Sequence, residues 1–404
     1  MKKVTSCRCC GKSNLLRYLN LGKQPPANSY HKKNEILPIY PLEVMLCKNC
    51  FHSQLSIVVD PELMFENYLY VSGTTETFRK HCEDLAVDAV KRFSRKKLSV
   101  LDIACNDGTQ LEFFRSLNCE ILGVDPAKNL RKITLEKNIP VIVDYWSKAL
   151  AKKIRKKFDI ITGTNVFAHV DNIMDFLLAC KEVLNENGYI ILEFPYCDKM
   201  IKNNEFDTVY HEHLSYFLVN SFFTLIDKAG LTITDIIQTP IHGGSIRFFL
   251  SSKRSKASDK TKKLIDLEKK SGLLNLITYQ KFTERVNLNK KTFKNKLKEL
   301  KKTGKRIVGY GASAKGNTML NYFKANLEYI VDDNPLKWDY LTPGRDILIV
   351  SPERFSKDPV NLAIVILSWN FYAEIKKKIK KLRPKTKADL CILYVPTVSV
   401  NKLN

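Results

Sequence analysis

The sequence predicts an α/β fold with two doubly wound, mainly parallel sheets, and three observations carry that prediction. Strand-length apolar runs alternate with helical stretches from residue 98 to about 250, the same alternation restarts near 304, and a polar, helix-periodic stretch separates the two blocks. The 404 residues are 44% hydrophobic, enough for more than one core. The expected division is 1–70, 71–251, 252–303 and 304–404. No apolar run approaches the ~20 residues that cross a bilayer, and no apolar leader precedes Cys7. A cytoplasmic protein without membrane association is expected.

The first segment is rich in turn residues, with Pro25, Pro26, Pro38 and Pro41 interrupting any long helix. Eleven cysteines, an odd number, read as thiols or ligands rather than as a disulfide framework. Cys7 and Cys10 form one CxxC pair and Cys47 and Cys50 a second, the paired-knuckle arrangement that offers four thiolates to Zn²⁺. Four thiolates close the coordination shell, so the metal is expected to be structural. Cys9 and His52 compete for a ligand position, and a nucleic-acid-binding ribbon is the other reading of such a module.

The first α/β block supplies the strands LSVLDIA, EILGVD, PVIVD, FDIITGTNV and YIILEF. In VLDIACNDG a strand carries Asp102 into a turn with Asn106 and Gly108, and a helix follows. This resembles the first motif of class I methyltransferases, in which backbone approaches the methionine part of S-adenosylmethionine, although Ala104 and Asn106 stand where glycine is common. Asp125 ends the next strand, where a carboxylate accepts from ribose hydroxyls. Asp144 after the third strand is placed near adenine and Asn165 after the fourth faces the cleft, or each simply caps a helix. GxGxxG is absent between Asp102 and Gly108, which disfavours a dinucleotide in this block.

Near the end of this block, FDTVYHEHLSYF packs Tyr210, His211, Glu212, His213 and Tyr216 into seven positions, a run with no obvious packing purpose. A histidine beside a carboxylate suits general acid–base chemistry. Metal binding by the two histidines would need further ligands, and no second cluster is evident. HGGSIRF, with His242 and Arg247, reads as a loop and strand bordering the same cleft, with Arg247 equally at home on the surface.

The connector 252–303 interleaves Lys260, Lys262, Lys263, Lys269 and Lys270 with Leu and Ile at helical spacing. It reads as one or two amphipathic helices with a solvated basic face, so the net charge of +24 does not by itself require nucleic acid. The second α/β block opens with RIVGYGASAKGNT, a strand, a glycine-rich turn and a helix start, a geometry suited to an anion. Asn317 replaces the lysine of a P-loop, and the spacing of Gly309, Gly311 and Gly316 is not the dinucleotide fingerprint either.

Taken in order, the CxxC pairs, DIACNDG, NVFAHV, FDTVYHEHLSYF, HGGSIRFF and GYGASAKGNTMLNY resemble the bacterial deoxysugar C-methyltransferases, over Cys7 to Val395. Ala104 and Cys105 depart from the family's usual glycine and serine. The resemblance implies a class I methyltransferase Rossmann-like domain between an N-terminal zinc-binding module and a second, C-terminal Rossmann-like domain. It implies S-adenosylmethionine and structural Zn²⁺ as cofactors and a nucleotide-diphosphate 4-keto-deoxysugar as substrate, methylated at C-3.

Under the same resemblance His213 is the base, oriented by Glu212, with Tyr210 near the sugar or its phosphates. His169 of NVFAHV stabilises the enolate or holds O-4, or is a locally bonded histidine at a helix start. Tyr68, Tyr70 and Ser72 of YLYVSGTT fall on a substrate segment, as does His242. Lys315 and Asn317 meet the substrate or the domain interface. Three domains enclosing one site require no second copy of the chain. The alternatives are a zinc-ribbon methyltransferase acting on RNA and a nucleotide-sugar epimerase or isomerase.

Overall fold

The computed structural model describes all residues except 67, 69, 70, 95, 96, 254, 255, 257, 360, 386, 387 and 404. Tyr70 therefore lies outside the described residues. The N-terminal module is built on a small antiparallel sheet of Leu15–Gln24, Tyr40–Cys47 and Ser53–Leu55, whose inward residues Leu19, Val44, Leu46 and Leu55 are buried. Its fourth strand is Ser215–Tyr216, contributed by the run that follows His213 and paired to Ser53 and Gln54. The module thus takes in the central domain's most chemically loaded segment as part of its own sheet.

The central domain holds seven strands in the order Thr232–Thr239, Ser245–Ser251, Leu184–Pro195, Phe158–Thr164, Ser99–Ile103, Glu120–Val124 and Val141–Ile142. Only Ser245–Ser251 runs antiparallel to its neighbours. The central strands are continuous apolar runs because both faces are covered: Val100, Leu101, Ile160, Ile161, Ile190, Ile191 and Leu192 are all buried.

Two helices connect the α/β domains, Asp259–Lys270 and Leu276–Lys302. Leu276–Lys302 buries Tyr279, Phe282, Val286, Asn289, Phe293 and Leu297 at spacings of three and four, and Lys260, Lys262, Lys263, Lys269 and Lys270 are all exposed. Glu268, in contrast, is buried and accepts from Tyr196 Oη at 2.7 Å and from the backbone amides of Val219 and Asn220 at 2.6 and 2.9 Å. It thereby serves the orphan amides at the start of the helix Val219–Lys228.

The C-terminal domain has six strands in the order Ile349–Val350, Ile330–Val331, Arg306–Tyr310, Leu362–Ile366, Leu390–Leu393 and Ser399–Lys402, with the last antiparallel. In both α/β domains the chain reverses its direction of travel across the sheet beside the first strand, which opens a crevice at the strand ends there. Among the described residues no helix is long and apolar enough to cross a membrane.

Candidate active site

A cavity of about 710 Å³ lies between the carboxyl ends of the two sheets. Its wall includes Asp102, Asn106, Asp125, Asp144 and Asn165 on one side, Tyr210, His213, His169 and His242 in the middle, and Ser313, Lys315, Asp332 and Asp333 on the other. Tyr68 and Ser72 also line it.

On the cofactor-like side, Asp125 accepts from the Asn106 amide through Oδ2 and from the Ala127 amide through Oδ1, each at 2.8 Å. This locks the turn after the first strand to the end of the second. Asp102 accepts from Thr162 Oγ1 at 2.7 Å and Gln110 Nε2 at 3.2 Å, and burial pushes its carboxyl up to about 7. Asn106 Oδ1 accepts from the Ser72 amide at 2.9 Å, so the two segments expected at the site do meet.

Neither Asp144 nor Asn165 caps a helix. Ser147 caps the helix after Asp144, and the turn after Asn165 has no side-chain cap. Asn165 Oδ1 is buried with no hydrogen-bond partner, a state that native proteins seldom leave to a polar atom unless a ligand or water fills it. Asp125 and Asn165, both facing the cavity, fit the ribose and polar groups of S-adenosylmethionine. Gly108 does not line the cavity. It holds the left-handed turn (φ 76°) before the helix Thr109–Ser116 and lies against Ile139, so its part is in shaping the loop.

His213 donates from Nδ1 to the Thr208 carbonyl at 2.8 Å, which leaves the Nε2 lone pair to accept from Tyr210 Oη at 2.6 Å. Burial, reinforced by His169 and Lys315, holds its pKa well below the usual 6.5, so the ring is neutral. His169 lies 5.0 Å from it, centroid to centroid, and stacks on Phe65 at 5.7 Å. Burial lowers its pKa to about 4, and its Nε2 has no hydrogen-bond partner. His169 is therefore not the locally bonded histidine of the alternative reading through that nitrogen.

Glu212 corrects the expectation. Its carboxylate accepts from Asn28 Nδ2 at 2.7 Å and from Tyr68 Oη at 2.9 Å and does not line the cavity, while both ring nitrogens of His213 are engaged by Thr208 and Tyr210. Thr208, not Glu212, therefore sets the tautomer of His213. Burial raises the Glu212 carboxyl to about 7. Of the two places expected for Asn317, the structure gives the domain interface: it is buried, donates to the Ala27 carbonyl at 2.8 Å and joins the C-terminal domain to the N-terminal module.

His242 lines the cavity against Phe78 at 5.6 Å, and Lys315 donates to its carbonyl at 2.9 Å while standing over the Trp369 ring. Arg247 is not on the surface. It is buried against Glu193 at 2.7 Å, and His81 completes that carboxylate's shell.

The sequence reading missed the residues that bolt the His213 segment in place. Asp207 accepts from Trp369 Nε1 and Tyr394 Oη, both at 2.7 Å, and Thr318 donates to the Val209 carbonyl. Asn28 carried no signal in its PPANS loop. Asp332 did carry one, since IVDD follows a glycine-rich turn at the distance that singled out Asp125.

The four cysteine Sγ atoms of Cys7, Cys10, Cys47 and Cys50 lie within 4.8 Å of one another, with the pairs Cys7–Cys50 and Cys10–Cys47 at 3.5 Å. A tetrahedral site with Zn–S near ~2.3 Å needs sulfurs about 3.8 Å apart. The two knuckles repeat one turn, with Gly11 N donating to Cys7 O at 2.8 Å and Phe51 N to Cys47 O at 2.9 Å. The residues fit Zn²⁺. His52 instead meets Ser215 Oγ, and Cys9 is buried outside the set of four.

Three family models match in sequence along the chain: a zinc binding domain at 7–65, a methyltransferase domain at 78–236 and a C-methyltransferase C-terminal domain at 240–396. The C-methyltransferase NovU of Streptomyces niveus is 27% identical over 387 residues, covering 93% of this chain and 92% of that protein. A ubiquinone biosynthesis O-methyltransferase of Rhodopseudomonas palustris is 31% identical over 99 residues, 24% of this chain and 39% of that protein. Among solved structures, the plantazolicin methyltransferase BpumL with bound S-adenosylhomocysteine aligns at 16% identity, covering 45% of this chain and 87% of that one, with a TM-score of 0.36.

Proposed function

From the succession of a zinc binding domain, a methyltransferase domain and a C-methyltransferase C-terminal domain we propose that this S-adenosylmethionine-dependent C-methyltransferase methylates a nucleotide-linked 4-keto-deoxysugar at C-3. The observation that carries this reading is the hydrogen-bonded Tyr210–His213 pair at the wall of the cavity, beside the unpartnered Nε2 of His169.

A ketone at C-4 acidifies the C-3 hydrogen because the resulting charge is delocalised onto oxygen. In this reading the neutral His213 takes that proton on Nε2, with Thr208 holding Nδ1–H in place and Tyr210 shifting its hydroxyl as the lone pair is used. His169, with a proton on Nε2, donates to the oxygen as charge builds there. S-adenosylmethionine would supply the electrophilic methyl group, with its sulfur retaining the electron pair of the broken C–S bond as the thioether S-adenosylhomocysteine, and Asp102, Asn106, Asp125, Asp144 and Asn165 would hold it. Tyr68 and Ser72 border the sugar, and Lys315 and His242 border the phosphates. Burial of the histidines excludes water that would otherwise return the proton.

The test is mass spectrometry of 4-keto nucleotide sugars incubated with the enzyme in deuterated buffer, with and without S-adenosylmethionine. A methyl mass gain that requires S-adenosylmethionine is expected, together with cofactor-independent deuterium uptake from enolisation. Deuterium uptake with no methyl gain across a broad panel would favour an epimerase, and neither gain would end the sugar reading.

A further inference from the structure

We propose that Arg8, inside the first zinc knuckle, is a positioning residue that fixes the two active-site histidines relative to each other; the proposal rests on the roles given above to His169 and His213. Arg8 stands between the metal ligands Cys7 and Cys10, yet its guanidinium serves no ligand. The side chain is 4% exposed and reaches out of the module into the central domain.

There it makes two contacts. Nη1 donates to the Leu214 carbonyl at 3.2 Å, one residue after His213. Nε donates to Asp171 Oδ1 at 3.3 Å, two residues after His169. The other end of the residue is equally fixed, since the Arg8 amide donates to Gln54 Oε1 at 2.8 Å and Gln54 Nε2 donates to the Ser6 carbonyl at 3.0 Å. Gln54 is itself paired to Ser215 in the shared sheet.

A buried cation is costly to desolvate and stays buried only where it is paired and hydrogen-bonded. Here the pairing joins two segments that are far apart in sequence and carry the two histidine rings lying 5.0 Å apart. Lys2 also meets Asp171, at 2.9 Å, but its side chain is 71% exposed, so that pair constrains little. A planar guanidinium can serve a carbonyl and a carboxylate at once in fixed directions, which a lysine ammonium does less well. The zinc knuckle thereby acts on the active site through one side chain.

The experiment uses the full zinc-loaded chain with S-adenosylhomocysteine, labelled with ¹⁵N-histidine, as wild type, Arg8→Met, Arg8→Lys and Asp171→Asn. In Arg8→Met the imidazole signals of His169 and His213 are expected to shift or broaden while those of His81 and His242 stay, with zinc stoichiometry unchanged. Turnover should fall about 10–100-fold, as a small misplacement of reacting groups does, with KM for S-adenosylmethionine unchanged and partial recovery in Arg8→Lys. Asp171→Asn probes the same link should Arg8→Met fail to fold. Unmoved His169 and His213 signals in zinc-loaded variants, or activity lost only in step with zinc, would overturn the proposal. Failure of the wild type to methylate any keto-sugar would instead strike the functional reading, and the histidine spectra would still decide on Arg8.

Discussion

The two α/β domains face each other across one cavity and solve the same local problem in the same way. In the central domain Asp125, at the end of the second strand, accepts from the amides of Asn106 and Ala127. In the C-terminal domain Asp332, also at the end of the second strand, accepts from the amides of Ala312 at 2.7 Å and Asn334 at 2.9 Å. What surrounds these carboxylates differs. Beside Asp125 the strand ends present Asn165 Oδ1 and, at the His213 cluster, His169 Nε2, both buried and without partners. Beside Asp332, Asp333 takes Tyr310 Oη and Lys378, and Lys337 donates to the Ala312 carbonyl that Tyr30 of the N-terminal module also bonds. A shared topology does not assign chemistry. In the proposed reading Asn165 Oδ1 and His169 Nε2 await cofactor and substrate, while the bonds beside Asp332 join the C-terminal domain to the N-terminal module.

The largest effect that would sharpen this contrast is expected at His213. His213→Gln removes the lone pair and should reduce methyl transfer by ~10²–10⁴-fold, while calorimetry finds the affinity for S-adenosylhomocysteine unchanged. Turnover that survives the substitution would break the assignment. If His213 is the base it works only when unprotonated, and burial holds its pKa below 6.5. Activity should therefore persist as pH falls past 6.5 and decline only below it, as read from the acid limb of kcat against pH.

A smaller effect compares the paired carboxylates directly. Asp125→Asn converts a carboxylate that accepts from the loop amides, and in the proposed reading from ribose, into a neutral amide. The loss of one charge-assisted hydrogen bond, about 1.5–3 kcal/mol, corresponds to roughly 10–100-fold weaker binding of S-adenosylhomocysteine. Asp332→Asn should leave that affinity within about twofold, because its domain is not the one that holds the cofactor. Equal weakening by both substitutions in calorimetry would dissolve the distinction between the domains.

Much of this organisation was legible in the sequence for a physical reason. Buried parallel strands write continuous apolar runs, and metal knuckles need two cysteines at a fixed short spacing, so both signals are local. The positions of Asp102, Asp125 and Asn165 at strand ends followed from the same rule. What stayed hidden depends on contacts between segments far apart in the chain. Glu212 beside His213 read as its orienter, yet the turn sends it to Asn28 and Tyr68. Asn317 could meet the substrate or the domain interface from its sequence, and only the bond to the Ala27 carbonyl, 290 residues away, decides for the interface. Arg8 looked like a spacer between ligands, and nothing near it in sequence announces Leu214 or Asp171.

The smallest expected difference concerns one glycine in each of the two loops. Gly108 and Gly311 both have positive φ, 76° and 89°, so alanine at either carries the left-handed penalty of about 1–2 kcal/mol. The space around them is not the same. A Cβ at Gly108 would lie 2.3 Å from Ile139 Cδ1, the far end of a side chain that can rotate away. A Cβ at Gly311 would lie 2.5 Å from Ser368 Oγ, 3.0 Å from its Cβ and 3.3 Å from its backbone nitrogen, and the last two can yield only by moving the chain beside the neighbouring strand. Overpacking of that kind adds typically ~1–3 kcal/mol. Gly311→Ala should therefore lower the apparent unfolding midpoint, scanned at one rate, by more than Gly108→Ala does. The reverse order would mean that the cofactor loop, not the domain junction, is the less yielding of the two.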